Sequence, residues 1–393
     1  MGMKKTQIGM IPEEWDAQSF SDTFRILNNN TYSRAELNYD SGQFRNIHYG
    51  DVLILFPEVL DCTREDVPYI NDGVRISSSA QPLQDGDVVM ADTAEDETVG
   101  KVTEVTNTSD KPVMAGLHTI PFRVKSGEFV PKWLGYYMNS HLYHDQLLPY
   151  IHGTKVSSVS KGSLGDTVII VPKTSEQEKI VNVLSDVDAL IEDLKKLIRK
   201  KKDVRQGTMQ RVLTGKNRLQ GFSSEWKDTT LGNICDIKDG THQTPHYVES
   251  GIPFYSVETV TNDDFTHVKY ISLEEHERLT SSYKIENGDV LMTRIGSIGK
   301  GKYVDWNPNA SFYVSLALLK FRGNKPLANF IALLTGTEEF QKEAELHSLQ
   351  FAIPMKINLG QISDIRVRIP AEDSEIKAII TMLNDMGSEI KRL

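Results

Sequence analysis

The chain has 393 residues, more than one ordinary core uses and enough for two domains of roughly 150 residues with connectors. A hydrophobic share of 39% with 25% charged residues excludes a disordered chain, and no apolar run approaches the roughly 20 residues that span a bilayer. The net charge of −10 is opposite in sign to the basic footprint of a nucleic-acid binder, so for such a function either the charge is segregated or a partner supplies much of the phosphate contact.

The opening MGMKKTQIGMIPEEW has no apolar stretch behind its lysines, which argues against a signal peptide. Further along, the runs DVLILF (51–56), DVVMA (87–91) and TVIIVP (167–172) read as buried strands between turn residues, and WLGYYMNSHLYHDQLL (133–148) as a helix. PKTSEQEKIVNVLSDVDALIEDLKKLI (172–198) follows. Its Ile180, Leu184, Val187, Ile191, Leu194 and Ile198 alternate at spacings of four and three, the seam of a coiled coil. Ser175 with Glu178 forms a capping box, and the helix is expected from Ser175 to about Leu213, roughly 60 Å. Lys195 to Arg218 carries ten Lys or Arg and one Asp. In the second half DVLMT (289–293) and DIRVRIP (364–370) read as strands, and NFIALLTGTEEFQKEAEL (329–346) as a helix. The chain closes on a second heptad stripe, Ile379, Leu383, Met386, Ile390 and Leu393, with Asp373 or Ser374 as its cap.

The second stripe repeats the first at a constant offset of 199 residues, Ile180 to Ile379. Weaker echoes fill the globular parts. Glu14-Trp15 returns as Glu225-Trp226, Gly86-Asp87-Val88 as Gly288-Asp289-Val290, and Val99-Gly100-Lys101 as Ile298-Gly299-Lys300. Phe122-Arg123 returns as Phe321-Arg322, and Leu164-x-Asp166 as Ile362-x-Asp364. The expected class is α+β: two similar domains, mostly β with an inserted helix, each followed by a long coiled-coil-type helix. The boundaries are 1–172 and 216–371 for the domains and 173–215 and 372–393 for the helices, the second about 20 residues or roughly 30 Å long. It lacks counterparts of Lys195 to Gly215, which puts a full-length antiparallel helix pair within one chain in question.

Other signals carry no chemistry. His242 and His246 are separated by Pro245, which breaks the helix a metal pair would need, and no acidic pair or Cys completes a set with His141 and His144. Gly296 to Lys300 lacks P-loop spacing, Asn307-Pro308-Asn309 is not an adenine-methyltransferase motif, and no GxGxxG follows a strand. Cys62 and Cys235 sit in different halves outside any CxxC, which suits a reducing cytoplasm without disulfides or structural zinc.

VRQGTMQRVLTGKNRLQGFSSEW (204–226), GDVVMADTAEDETVGK (86–101), DGTHQTPHYVESGIPF (239–254) and GDVLMTRIGSIGK (288–300), in duplicated order, resemble the specificity subunit of a type I restriction–modification system over essentially the whole chain. The resemblance implies two target-recognition domains, each reading one half of a split double-stranded DNA target. It implies that the helices set half-site spacing and dock methyltransferase subunits, expected to be two, with a restriction and translocation subunit beyond them. The chain would be cytoplasmic and catalytically inert, with no membrane contact and no cofactor of its own. S-adenosylmethionine, ATP and Mg would sit on the partners. Paired modules on one rod imply half-sites near 34 Å apart. The alternatives are a coiled-coil scaffold that binds protein, and the recognition subunit of a related system with fused cleavage and methylation.

Sequence is read at base edges, while Lys and Arg on phosphates fix register. Candidate readers are therefore polar residues in the non-repeating loops. In the first domain these are Asn29, Asn30, Tyr32, Arg34, Lys155, Ser157 and Lys161. In the second they are Thr241, His242, Gln243, Thr244, Arg294, Ser297, Gln350 and Lys356.

Overall fold

The computed structural model describes residues 2–64, 66–76, 81–153, 156–349 and 351–393. The chain divides into two compact units, Met1–Ile191 and Glu192–Leu393, the division falling inside one 39-residue helix, Thr174–Val212.

In the first unit the strand Val88–Ala91 is buried on both faces. Side chains alternate across a strand, so Val88 and Met90 enter one core while Val89 and Ala91 enter another. This strand is the middle of a five-stranded sheet ordered Phe24–Ile26, Thr119–Val124, Val88–Ala91, Val102–Thr106, Val59–Asp61. One face packs on the helix Trp133–Met138 through Trp133, Leu134 and Met138. The other packs on a second sheet, Val113–Ala115, Arg45–Ile47, Tyr69–Ile70, Leu37–Asn38, through Val113, Ala115 and Ile47. Asp16–Ser19 pairs antiparallel with Val168–Val171, closing the unit where the long helix leaves it.

The second unit is the same frame again. Its main sheet runs Asp236–Asp239, Leu316–Lys320, Val290–Ile295, Ser297–Tyr303, and its second sheet Ser311–Phe312, Ile252–Tyr255, Lys269–Ile271, Tyr247–Val248. Val290 and Met292 face one core and Leu291 the other. Lys227–Thr230 and Arg366–Ile369 form the closing pair. Glycines recur where the frame is tight. Gly100 and Gly299 both have positive φ, 91° and 74°, and a Cβ on Gly100 would lie 2.6 Å from the Leu147 side chain.

The pairing register corrects one echo. Val88 faces Phe122 and Val290 faces Leu319, so the partner of Arg123 is Lys320, not Arg322. Arg123 clasps the buried Asp87 at 2.5 and 2.6 Å, and Lys320 reaches Asp289 at 2.7 Å. Arg322 pairs instead with exposed Asp236.

Several sequence expectations change. Residues 51–56 lie not in a strand but largely in the helix Tyr49–Ile54; Val52 and Phe56, four apart, are buried while Ile54 is 80% exposed. A short apolar run does not distinguish the two periods. The expected helix 133–148 breaks after Met138, where the Asn139 side chain bonds both the N–H and the carbonyl of Val102. The one over 329–346 splits into Lys325–Leu334 and Glu338–Leu346, the second capped by Thr337. The long helix starts at Thr174, so Ser175 lies in its first turn, and the last helix, Asp373–Arg392, follows Glu372 without a side-chain cap bond.

Each domain is tied to the helix that follows it by the same pair. The Trp15 indole N–H donates to Glu176 at 2.8 Å, and that of Trp226 to Glu375 at 3.2 Å. Glu375 is 1% exposed and also takes a bidentate Arg218 at 2.6 and 2.8 Å. The last helix runs antiparallel to the end of the long one, Lys201 meeting Glu389 and Arg205 the Leu383 carbonyl. Glu375→Ala strands a guanidinium and an indole and should cost about 3 kcal/mol. Glu176→Ala loses one hydrogen bond and should cost about 1 kcal/mol. Urea unfolding of the two variants checks this ranking; equal losses would contradict it.

Candidate nucleic-acid interface

The strand Val290–Ile295 carries its last residues to one edge of the second unit, where three loops meet. Arg294, 5% exposed, is the joint. Its guanidinium donates to Asp239 Oδ1 at 2.5 Å and to the Ile357 carbonyl at 3.2 Å, and its own carbonyl accepts the Ile357 N–H. Asp239 in turn accepts the Gly240 N–H at 2.9 Å and faces His242 Nε2 at 2.8 Å. The DGTHQT loop, the turn at Gly296 and the segment before Ile357 are thereby held to one another. Arg294, expected as a base reader, is instead a buried internal brace, with Nε and Nη1 both donating inside the protein. His242, Gln243 and Thr244 are exposed, whereas Thr241, Ser297 and Lys356 are half-buried. Thr241 is fixed through its backbone, donating to the Phe312 carbonyl and accepting from Val314.

The matching edge of the first unit is built by the same register with different residues. Asn30 donates its backbone N–H to the Ala115 carbonyl, as Thr241 does to Phe312. Two expected readers are corrected here. Asn30 is 3% exposed, with its side chain bonded to Asn46 at 2.7 Å. Tyr32 is 9% exposed, with its hydroxyl on the Arg75 carbonyl. Both side chains are bonded in the interior and all but closed off from solvent. Asn29 is half-buried and bonds the Gly116 carbonyl. Arg34 forks onto the buried Asp51 at 2.7 and 2.9 Å, which raises its pKa, yet it keeps an exposed flank. Ser157 lies in Ser157–Ser158, paired with Thr93–Ala94, and Lys161 is exposed at the start of a short helix. Lys155 and Gln350 lie outside the described residues.

A hairpin stands beside this edge in both units. His152 bridges Ser158 in the first, and Leu349 bridges Lys356 in the second. Among the described residues Lys161, Lys300 and Lys356 make no ion pair. The expected list passed over Lys300, as well as Phe351 and Ile353 at the second hairpin's tip. Their residue types signal a core, and only the fold reveals them to be 99% and 100% exposed.

The heptad residues fall into two groups. Ile180 packs on the first unit's core, while Leu184, Val187 and Ile191 are 37%, 48% and 44% exposed. Leu194 and Ile198 are half-buried. In the last helix Ile379 and Leu383 are buried in the second unit's core and Met386 packs against it. That end of the second stripe, expected as a helix–helix seam, is thus part of its domain's core; Ile390 is half-buried and Leu393 exposed. Among the described residues no three His, Cys, Asp or Glu side chains could hold a metal, and no helix is long and apolar enough to cross a membrane. Cys62 and Cys235 are buried free thiols whose pKa burial pushes up to about 12.

His48, buried beside Arg34, caps the helix Tyr49–Ile54 by accepting the Gly50 N–H at Nδ1, 3.2 Å away. Burial, then the Arg34 charge, lowers its pKa; His118 acts in the same sense and Asp51 against it. The unfolded chain therefore binds the proton more readily, and stability should fall as pH drops through about 6.5. Urea midpoints at pH 7.5 and 5.5 should differ less for His48→Asn than for the parent; an unchanged difference would refute the assignment.

The model of the type I restriction modification DNA specificity domain matches residues 12–202 and 223–392. A putative type I restriction enzyme MjaX specificity subunit from Methanocaldococcus jannaschii is 25% identical over 270 residues, 64% of this chain and 61% of that one. The type I restriction enzyme MjaVIII specificity subunit from the same organism is 24% identical over 258 residues, 61% and 60% of the two chains. The matches thus span about three fifths of the length of these curated relatives. A chain from a structure titled for complex assembly and conformational transition of the type I R-M system aligns with TM-score 0.59 and 20% identity, covering 97% of this chain and 92% of that one. That likeness extends to the fold.

Proposed function

The chain belongs to the type I restriction modification DNA specificity family, and on that premise we propose that it is the non-catalytic, DNA-reading subunit of such a system. Each unit reads one half of a bipartite double-stranded target. One observation carries the reading: a single frame is built twice, and the same edge of each copy carries an unlike loop, Asn29 to Arg34 in one and Thr241 to Thr244 in the other. A shared scaffold with unlike loops suits two unlike half-sites. Exposed polar side chains there supply base contacts, and Lys161, Lys300 and Lys356 supply phosphate contacts. The net charge of −10 leaves further phosphate contact to partners.

The partners are two modification subunits, carrying S-adenosylmethionine, and a restriction subunit, carrying ATP and Mg, in the cytoplasm. The exposed Leu184, Val187 and Ile191 on the long helix provide their docking stripe.

Methylome sequencing of cells expressing this chain with its modification partner should give one bipartite adenine-methylated motif. Exchanging residues 30–155 for those of a relative should change one half of that motif only. Changes in both halves, or none, would refute the modular reading. DNA binding by the complex should weaken steeply with salt; no DNA retention would favour a protein-binding scaffold instead.

Leu184→Asp with Ile191→Asp should abolish co-purification of the modification subunit. Both positions are exposed, so the melting temperature should hold within a few degrees. An intact complex would remove the stripe from the interface.

A further inference from the structure

The hairpin of the second unit ends in an apolar tip that its own fold leaves in solvent. Phe351 is 99% and Ile353 100% exposed, and Leu349 at the base is 40% exposed. The base is firm. Leu349 donates to the Lys356 carbonyl at 2.8 Å, Gly296 to Met355 at 2.8 Å, and Ile357 to Arg294 at 2.9 Å. Ala352 donates back to Leu349 at 3.0 Å, which turns the tip. Two apolar side chains are therefore held out by a hydrogen-bonded stem braced on the buried Arg294.

The surroundings indicate what covers them. The stem is continuous through Arg294 and Asp239 with the exposed His242, Gln243 and Thr244. Lys356, on the last rung of the stem, and Lys300, on the adjoining strand, make no ion pair among the described residues. A protruding apolar tip flanked by unpaired lysines fits a duplex better than a protein groove. The cations meet phosphates, and apolar side chains enter between base pairs, as wedge residues do when they unstack a step. The equivalent hairpin of the first unit offers Val156, 51% exposed, but no aromatic residue among its described positions.

We propose that Phe351 and Ile353 form a wedge that inserts at a base step in the half-site read by the second unit and kinks the DNA there. The inference rests on the DNA-reading function proposed above and adds a specificity element to it, because pyrimidine–purine steps kink most readily.

The test uses the full chain with its modification subunits and a duplex carrying the methylome-defined target. Phe351→Ala with Ile353→Ala should weaken specific binding by about ten- to a hundredfold, the scale of losing one stacked contact, with an unchanged salt slope. The bend read by fluorescence transfer between dyes flanking the site should shrink. Permanganate reactivity of thymines should vanish in that half-site only. Lys356→Ala should instead lower the salt slope by about one and keep the bend. Unchanged affinity and bend in the double variant would overturn the wedge, and so would loss of the modification subunit, which would make the tip a protein contact. Failure of the parent complex to bind any DNA would overturn the underlying reading as well, and is distinguishable because no variant is needed to see it.

Discussion

A strand buried on both faces has no solvent side, so each side chain must find a layer above or below it. Val88–Ala91 and Val290–Ile295 impose that condition in their units. The helices fill one side and a second sheet the other. Because neighbouring strands must stay in register with this one, the loops at its far end arrive together: Asp239 beside Arg294, and Asn30 beside the Ala115 carbonyl. The candidate interface is thus a consequence of core packing. The indole–carboxylate ties from Trp15 and Trp226 to Glu176 and Glu375 then fix each domain to its helix.

Given the same frame, the two edges are braced by different buried polar groups. In the first unit Asn30 holds Asn46 and Arg34 grips Asp51. In the second Arg294 grips Asp239. A buried polar group unpaired by mutation is costly, so each brace commits its loop to one conformation. This division lets the exposed residues vary without disturbing the core. Residue types that read bases elsewhere are thus spent here on holding the loops in place.

The two helices show a partial division. Ile180 and Ile379 both pack on their own domain's core, but Leu383 is buried there whereas Leu184, at the equivalent heptad position, is 37% exposed, with Val187 and Ile191 open beyond it. Identical periodicity thus serves as core in one place and as open surface in another.

What the sequence by itself determined was periodic or repeated. The 199-residue offset, the strands at 87–91, 167–172, 289–293 and 364–370, the extent of the long helix and the α+β class all follow from spacing and turn residues. What only the tertiary structure decided was direction. Asn30, Tyr32 and Arg294 have the chemistry of readers but point inward, Phe351 and Ile353 have the chemistry of a core but point outward, and residues 51–54 form helix where a strand reads equally well. Periodicity is local and survives in one dimension. Whether a side chain faces solvent or a partner depends on strands and loops tens to hundreds of residues away, which only the folded chain brings into contact.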